Sequence, residues 1–144
     1  MGVLIFDSQF DDRHGVLRNT KGLNDPAKLE AFIARQSYAR VLELESAPLP
    51  GNFDIRHLQS IHRYIFQDVF PWAGDFREVM TARTGSFGFP PPQFLLPSLE
   101  TLFKKLATET HLKNLNPDQF AERAGHYLGE LNAIHPFREG NGRT

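Results

Sequence analysis

His135-Pro136-Phe137-Arg138-Glu139-Gly140-Asn141-Gly142-Arg143 is the stretch on which the reading of this chain turns. It gathers an imidazole, a carboxylate, a glycine-flanked turn and a guanidinium into one short loop. Gly140 and Gly142 permit backbone conformations closed to other residues, so successive N–H groups can point into one concavity. A helix starting just beyond would turn free N–H groups and a positive dipole end toward a phosphate. Arg143 adds a planar donor fork suited to phosphate oxygens, and the Asn141 amide can donate to the same oxygens. Glu139 supplies a hard oxygen of the kind that holds magnesium between phosphates. His135 can be neutral near pH 7 and take a proton from an attacking hydroxyl. Pro136 stiffens the chain, and Phe137 is expected to anchor the loop in the core. Against the plainer reading, a polar loop with one core histidine, stands the mutual consistency of these positions.

Working back from the loop, Asn116-Pro117-Asp118 starts a helix with a capping side chain and proline at the first helical position. Its Phe120, Ala124, Tyr127, Leu128 and Leu131 are predicted to face the core. Pro97 is read as opening the preceding helix, with Leu99, Leu102, Phe103 and Leu106 on one side. The segment Phe76 to Phe89, rich in Phe, Thr and Val around Thr84-Gly85-Ser86, reads as a hairpin. Asp54 caps a further helix striped by Leu58, Ile61, Ile65 and Phe66 and ending near Phe70-Pro71. Asn24-Asp25-Pro26 starts the first helix, which carries Leu29, Phe32, Ile33, Val41 and Leu44 and runs to about Glu45 before the break at Pro48-Leu49-Pro50. Residues 1–23 show little periodicity and are expected to be an irregular lead-in. The fold class predicted is mainly α, a helical bundle with one small β-hairpin.

Length and composition bound what such a domain can do. The 144 residues suit one domain, and 40% hydrophobic content with thirteen Phe suits one aromatic-rich core. Sixteen basic against seventeen acidic residues leave a net charge of -1, so no global field draws the chain to nucleic acid or to an anionic membrane. The absence of Cys removes disulfides and thiolate metal sites and fits a reducing compartment. No apolar run approaches the roughly 18 residues of a spanning helix, and the first fifteen residues lack the pattern of a signal peptide. A cytoplasmic location is the expectation, with delivery into another cell as its variant.

The loop resembles the signature of the Fic (fido) family, H-x-F-x-(D/E)-G-N-G-R-x-x-R, at every position the chain contains. Upstream, Trp72-Ala73-Gly74-Asp75-Phe76-Arg77 is similar to the family segment W-A-G-x-(F/Y)-R, which leads into a hairpin called the flap. The resemblance is clearest over residues 50–144, within a Fic domain taken to span 24–144. It implies transfer of AMP from ATP to a Ser, Thr or Tyr hydroxyl of a target protein. His135 would be the general base, and Glu139 would hold Mg²⁺. Gly140, Asn141, Gly142 and Arg143 would cradle the phosphates. The flap, taken as Arg83, Thr84, Gly85, Ser86, Phe87, Gly88 and Phe89, would pair with the target's backbone. Gly142 argues against the Doc-like kinase branch, which carries Lys there. The family's second Arg would fall at position 147, so the domain is read as C-terminally incomplete, lacking the helices that normally follow the motif. A catalytically impaired nucleotide-binding or protein-interaction module is therefore the alternative, with a hydrolase that removes AMP as a further one. The family's inhibitory pattern, (S/T)-x-x-x-E-(G/N), does not occur in the chain. An inhibitor is thus expected as a separate antitoxin-like protein or from further C-terminal sequence.

Other polar residues carry weaker cases. Glu122, His126 and Glu130 share a helical face and could ligate a metal, but a solvated stripe is the better reading. His57 and His62 are read as surface or boundary residues. Trp72 is assigned to the core, and Arg83 could touch nucleotide or target.

Overall fold

A computed structural model describes residues 6–81 and 88–144. Among these, β1 (Phe10–Asp11) and β2 (Val16–Leu17) form an antiparallel hairpin, with Phe10 opposite Leu17 and Asp11 opposite Val16. Four helices follow: α1 (Pro26–Ser46), α2 (Ile55–Phe66), α3 (Leu95–Thr108) and α4 (Pro117–Ile134). A 3-10 turn at Pro92–Phe94 leads into α3, and a turn at Thr110–Leu112, left-handed at all three residues, leaves it.

The helix starts lie where local chemistry puts them. The Asp25 side chain accepts the Lys28 N–H, with Pro26 at the first position of α1. Asp54 does the same for His57 at α2. Asn116 and Gln119 satisfy each other's backbone N–H in a reciprocal capping box at α4. Such caps each contribute about 1 kcal/mol. α3 begins earlier than its proline suggests. Leu95 and Leu99 are both buried, and Pro97 sits in the first turn, where its missing N–H leaves no helical bond unmade.

The buried residues divide into two clusters rather than the single core expected. One, under α1 and α2, includes Leu29, Phe32, Ile65, Phe66, Phe70 and Trp72. The other lies between α3, α4 and the start of α2 and includes Leu58, Leu99, Leu102, Tyr127 and Phe137. On α4, Tyr127 and Ile134 are buried, while Phe120 is 50% and Leu128 is 67% exposed, against the expectation that both face the core. The face α4 turns to α3 is narrower than the apolar stripe in its sequence.

The described part of the lead-in, residues 6–23, carries regular structure. Its hairpin buries Val16 in the first cluster, and its preceding residues are bonded to the C-terminal half of the chain. Asp7 Oδ2 accepts from Arg138 Nε at 2.9 Å, and Ser8 Oγ donates to Glu78 Oε2 at 2.7 Å. Gln9 Nε2 donates to the Phe76 carbonyl at 3.1 Å. The hairpin expected over 76–89 has its middle, 82–87, outside the described residues. Its described flanks carry no assigned strand, though Phe89 N–H donates to the Thr81 carbonyl at 2.8 Å.

Candidate active site

α4 ends at His135, a C-cap in the left-handed conformation (φ 51°, ψ 61°) whose N–H donates to the Leu131 carbonyl. Gly or Asn usually occupies such a cap, and another residue there carries a cost of about 1–2 kcal/mol. Arg77 holds the turn. Its backbone N–H donates to the Pro136 carbonyl at 2.9 Å, and its Nε donates to the His135 carbonyl at 2.7 Å. The rest of the fork reaches the carbonyls of Val79 (3.0 Å), Pro90 (2.6 Å) and Ile134 (3.3 Å). Arg77 is 2% exposed, and burial pulls its pKa down. It ties the end of α4 to residues on both sides of segment 82–87. The imidazole of His135 stacks flat on Phe89, with ring centres 3.7 Å apart and planes within 3°.

Beyond His135 the loop closes on itself. Asn141 Oδ1 accepts the Phe137 N–H at 2.8 Å, and its Nδ2 donates to the Phe137 carbonyl at 2.7 Å. Its amide thus clamps the loop on itself. Gly140 takes φ +85°, and a Cβ there would lie 2.3 Å from two ring carbons of Phe66. Gly142 differs: no left-handed φ occurs there, and a Cβ would meet nothing within 4 Å. Its contribution in this structure is clearance above the loop, not backbone freedom.

The N–H groups of Arg143 and Thr144 both donate to the Gly140 carbonyl, at 3.1 and 3.2 Å. Glu139 Oε1 accepts the Gly140 N–H at 2.9 Å and lies 3.9 Å from Arg143 Nη1. Both side chains border a cavity of about 320 Å³ whose other walls are the β1–β2 hairpin and the start of α1. Among the described residues no group of three or more His, Asp or Glu could hold a metal alone, and Glu122, His126 and Glu130 are all exposed on α4. A single half-buried carboxylate does fit magnesium, which takes one or two carboxylates and completes its shell with phosphate oxygens and water.

His62 is where the sequence reading failed most. It is fully buried, and its ring stacks on Phe137 with centres 3.8 Å apart. Nδ1 accepts the Gly74 N–H at 2.8 Å, so Nε2 carries the proton and donates to the Glu139 carbonyl at 3.0 Å. Burial lowers its pKa to about 4. The signal was present: His62 stands four residues from both Leu58 and Phe66, on the apolar stripe of α2. Trp72 is buried as expected, its indole N–H donating to the Arg18 carbonyl at 3.0 Å. Of the residues read as the flap, Arg83 to Phe87 lie outside the described residues. Gly88 is exposed and Phe89 is the stacking partner of His135.

A helical domain whose last helix ends in a glycine-turned loop carrying His, Glu and Arg defines a narrow class. The model of the Fic/DOC family matches residues 52–144, and the chain belongs to that family. It is 41% identical over 138 residues to the protein adenylyltransferase VbhT of Bartonella schoenbuchensis, covering 96% of this chain. It is 40% identical over 131 residues to a Sinorhizobium fredii protein named "probable protein adenylyltransferase y4lH", covering 90% of this chain. The chain spans 29% and 66% of the lengths of these two relatives. Among solved structures, the N-terminal Fic domain of a Bartonella quintana VirB-translocated effector with bound ADP superposes with a TM-score of 0.85 at 28% identity, covering 94% of this chain and 70% of that one. The effector BepC of Bartonella tribocorum with bound AMPPNP gives 0.80 at 30%, covering 88% and 67%. The mainly helical architecture is that of Fic domains. No helix among the described residues is long and apolar enough to cross a membrane.

Proposed function

We propose that the chain carries the catalytic loop of a protein adenylyltransferase, moving AMP from ATP to a Ser, Thr or Tyr hydroxyl of a target protein. The observation that supports this most is the fixed placement of His135, set at the C-cap of α4, braced by Arg77 and stacked on Phe89, on the same loop as Glu139 and Arg143. The names of the curated relatives and the adenine nucleotides in the solved neighbours support the same reading.

In the proposed reaction the target hydroxyl oxygen attacks the α-phosphorus of ATP. The bond from that phosphorus to the bridging oxygen breaks, and pyrophosphate leaves. His135 takes the hydroxyl proton. Glu139 would hold Mg²⁺, which supplies charge neutralisation on the phosphates when bound. Arg143 and the backbone of Gly140, Asn141 and Gly142 line the phosphates, with Asn141 keeping the loop closed around them. Residues 88 and 89, with the flap they belong to, would align the target chain. A separate antitoxin-like protein would supply inhibition. Chemistry of this kind is largely positioning and electrostatics, so a rigid loop can carry much of it.

The test is transfer from ATP labelled at the α-phosphate, with γ-labelled ATP in parallel. Label from the α position alone is expected on protein, falling about 10²–10⁴-fold in His135→Ala. Transfer of γ label would overturn AMP transfer in favour of phosphorylation. Undiminished transfer in the variant would remove the role of His135.

A further inference from the structure

His62 lies outside the loop that carries the chemistry, yet it joins that loop to the Trp72–Arg77 segment. Its two ring nitrogens are divided between them, Nδ1 taking the Gly74 N–H and Nε2–H reaching the Glu139 carbonyl. Phe137 fixes the ring plane from one side, the two planes lying within 13°. One turn further along α2, Phe66 presses against Gly140. Residues 137, 139 and 140 are therefore held by two neighbouring side chains of one helix. The Glu139 carboxylate springs from the residue whose carbonyl His62 grips.

Resting on the reading of Glu139 as the ligand of the magnesium–phosphate unit, we propose that His62 is a positioning residue that aims the Glu139 carboxylate at the bound nucleotide through the Glu139 carbonyl. A histidine that merely filled the core would be replaceable by any side chain of its shape. A positioning histidine is replaceable only by one that keeps the donor at Nε2. Glutamine carries an amide where Nε2 lies and can donate to Glu139. Asparagine is one carbon shorter, so it can serve Gly74 but not reach Glu139.

The experiment compares His62→Gln and His62→Asn in the full chain. It uses calorimetry with ATP and Mg²⁺, together with amide exchange at Gly140, whose N–H is bonded within the loop. His62→Asn is expected to raise the dissociation constant about tenfold, the equivalent of 1.4 kcal/mol, and to speed Gly140 exchange. His62→Gln is expected to stay within about threefold of the wild type. Equal behaviour of the two variants, or wild-type affinity and exchange in His62→Asn, would overturn the proposal. Should His62→Asn not fold, His62→Phe keeps the stack on Phe137, loses both hydrogen bonds and takes its place. Should the wild-type chain bind no magnesium–ATP, the proposed function falls, and Gly140 exchange alone decides whether His62 sets the loop.

Discussion

Replacing Gly140 by alanine should be among the most damaging single-atom additions this domain can receive. Two costs combine. Alanine at φ +85° carries about 1–2 kcal/mol of left-handed strain. Its Cβ would also stand 2.3 Å from Cε2 and Cζ of Phe66. That ring has nowhere to go, being fully buried and packed against His62 (4.8 Å) and Phe70 (5.6 Å). Overpacking of this kind costs about 1–3 kcal/mol. The sum, about 2–5 kcal/mol, is a large part of the stability of an ordinary domain. With about 0.3 kcal/mol per degree for a chain of this length, Tm should drop by about 7–17 °C. Gly142→Ala is the control, since a Cβ there meets nothing, and it should change stability by less than about 0.5 kcal/mol. Circular dichroism melts of the two variants decide the matter, with Phe66→Leu added to each. That change should relieve the steric part in Gly140→Ala and show as favourable coupling above about 1 kcal/mol. If Gly140→Ala melts within about 2 °C of Gly142→Ala, the account of the glycine at 140 is wrong.

Other outcomes follow from the same geometry. His62 is held near a pKa of about 4 by burial against an ordinary 6.5. Between those values the unfolded chain binds a proton that the folded one does not. Stability should therefore fall as pH drops through that window, by about 1.4 kcal/mol per unit; urea unfolding across it checks this, and His62→Gln should lose that part of the slope. Arg77→Met strips the donor from the carbonyls of Val79, Pro90 and His135 and should cost about 3 kcal/mol or more. Arg77→Lys should recover less than half of that loss in the same unfolding assay, because an ammonium has no fork; full recovery would contradict the role of the fork. Phe120→Ser, on an exposed face of α4, should shift unfolding by less than about 0.5 kcal/mol. A loss as large as that of a core residue would restore the position the sequence implied.

What could be read in advance was mostly local. Asp25, Asp54 and Asn116 announce helix starts because a cap is satisfied within three residues of its own position. The Trp72–Arg77 segment and the His135–Arg143 loop were legible as motifs. That one guanidinium would bind them together was not, because the partners of that guanidinium are backbone carbonyls up to 58 residues away. The error at His62 has the same source. A polar residue on an apolar stripe reads as a boundary position until the groups that meet its two nitrogens are known. Asn141 has a local use that its motif position did not reveal: its amide bonds both the N–H and the carbonyl of Phe137. Leu128 is exposed because the face of α4 that packs in the second cluster centres on Tyr127 and Ile134 and is narrower than the apolar stripe in the sequence.

The clasp between the lead-in and the motif loop also sets an order of assembly. Gln9 and Ser8 meet partners 67 and 70 residues on, and Asp7 meets Arg138 at a separation of 131. Doubling such a span adds only about 0.6 kcal/mol to loop closure, so distance is little thermodynamic obstacle. It is an obstacle in time. As the chain is synthesised, the side chains of Ser8 and Gln9 wait for residues 76–78 to appear, and that of Asp7 waits for Arg138. A fusion partner placed ahead of residue 7 would therefore act on the frame of the loop, although more than a hundred residues separate the two in sequence.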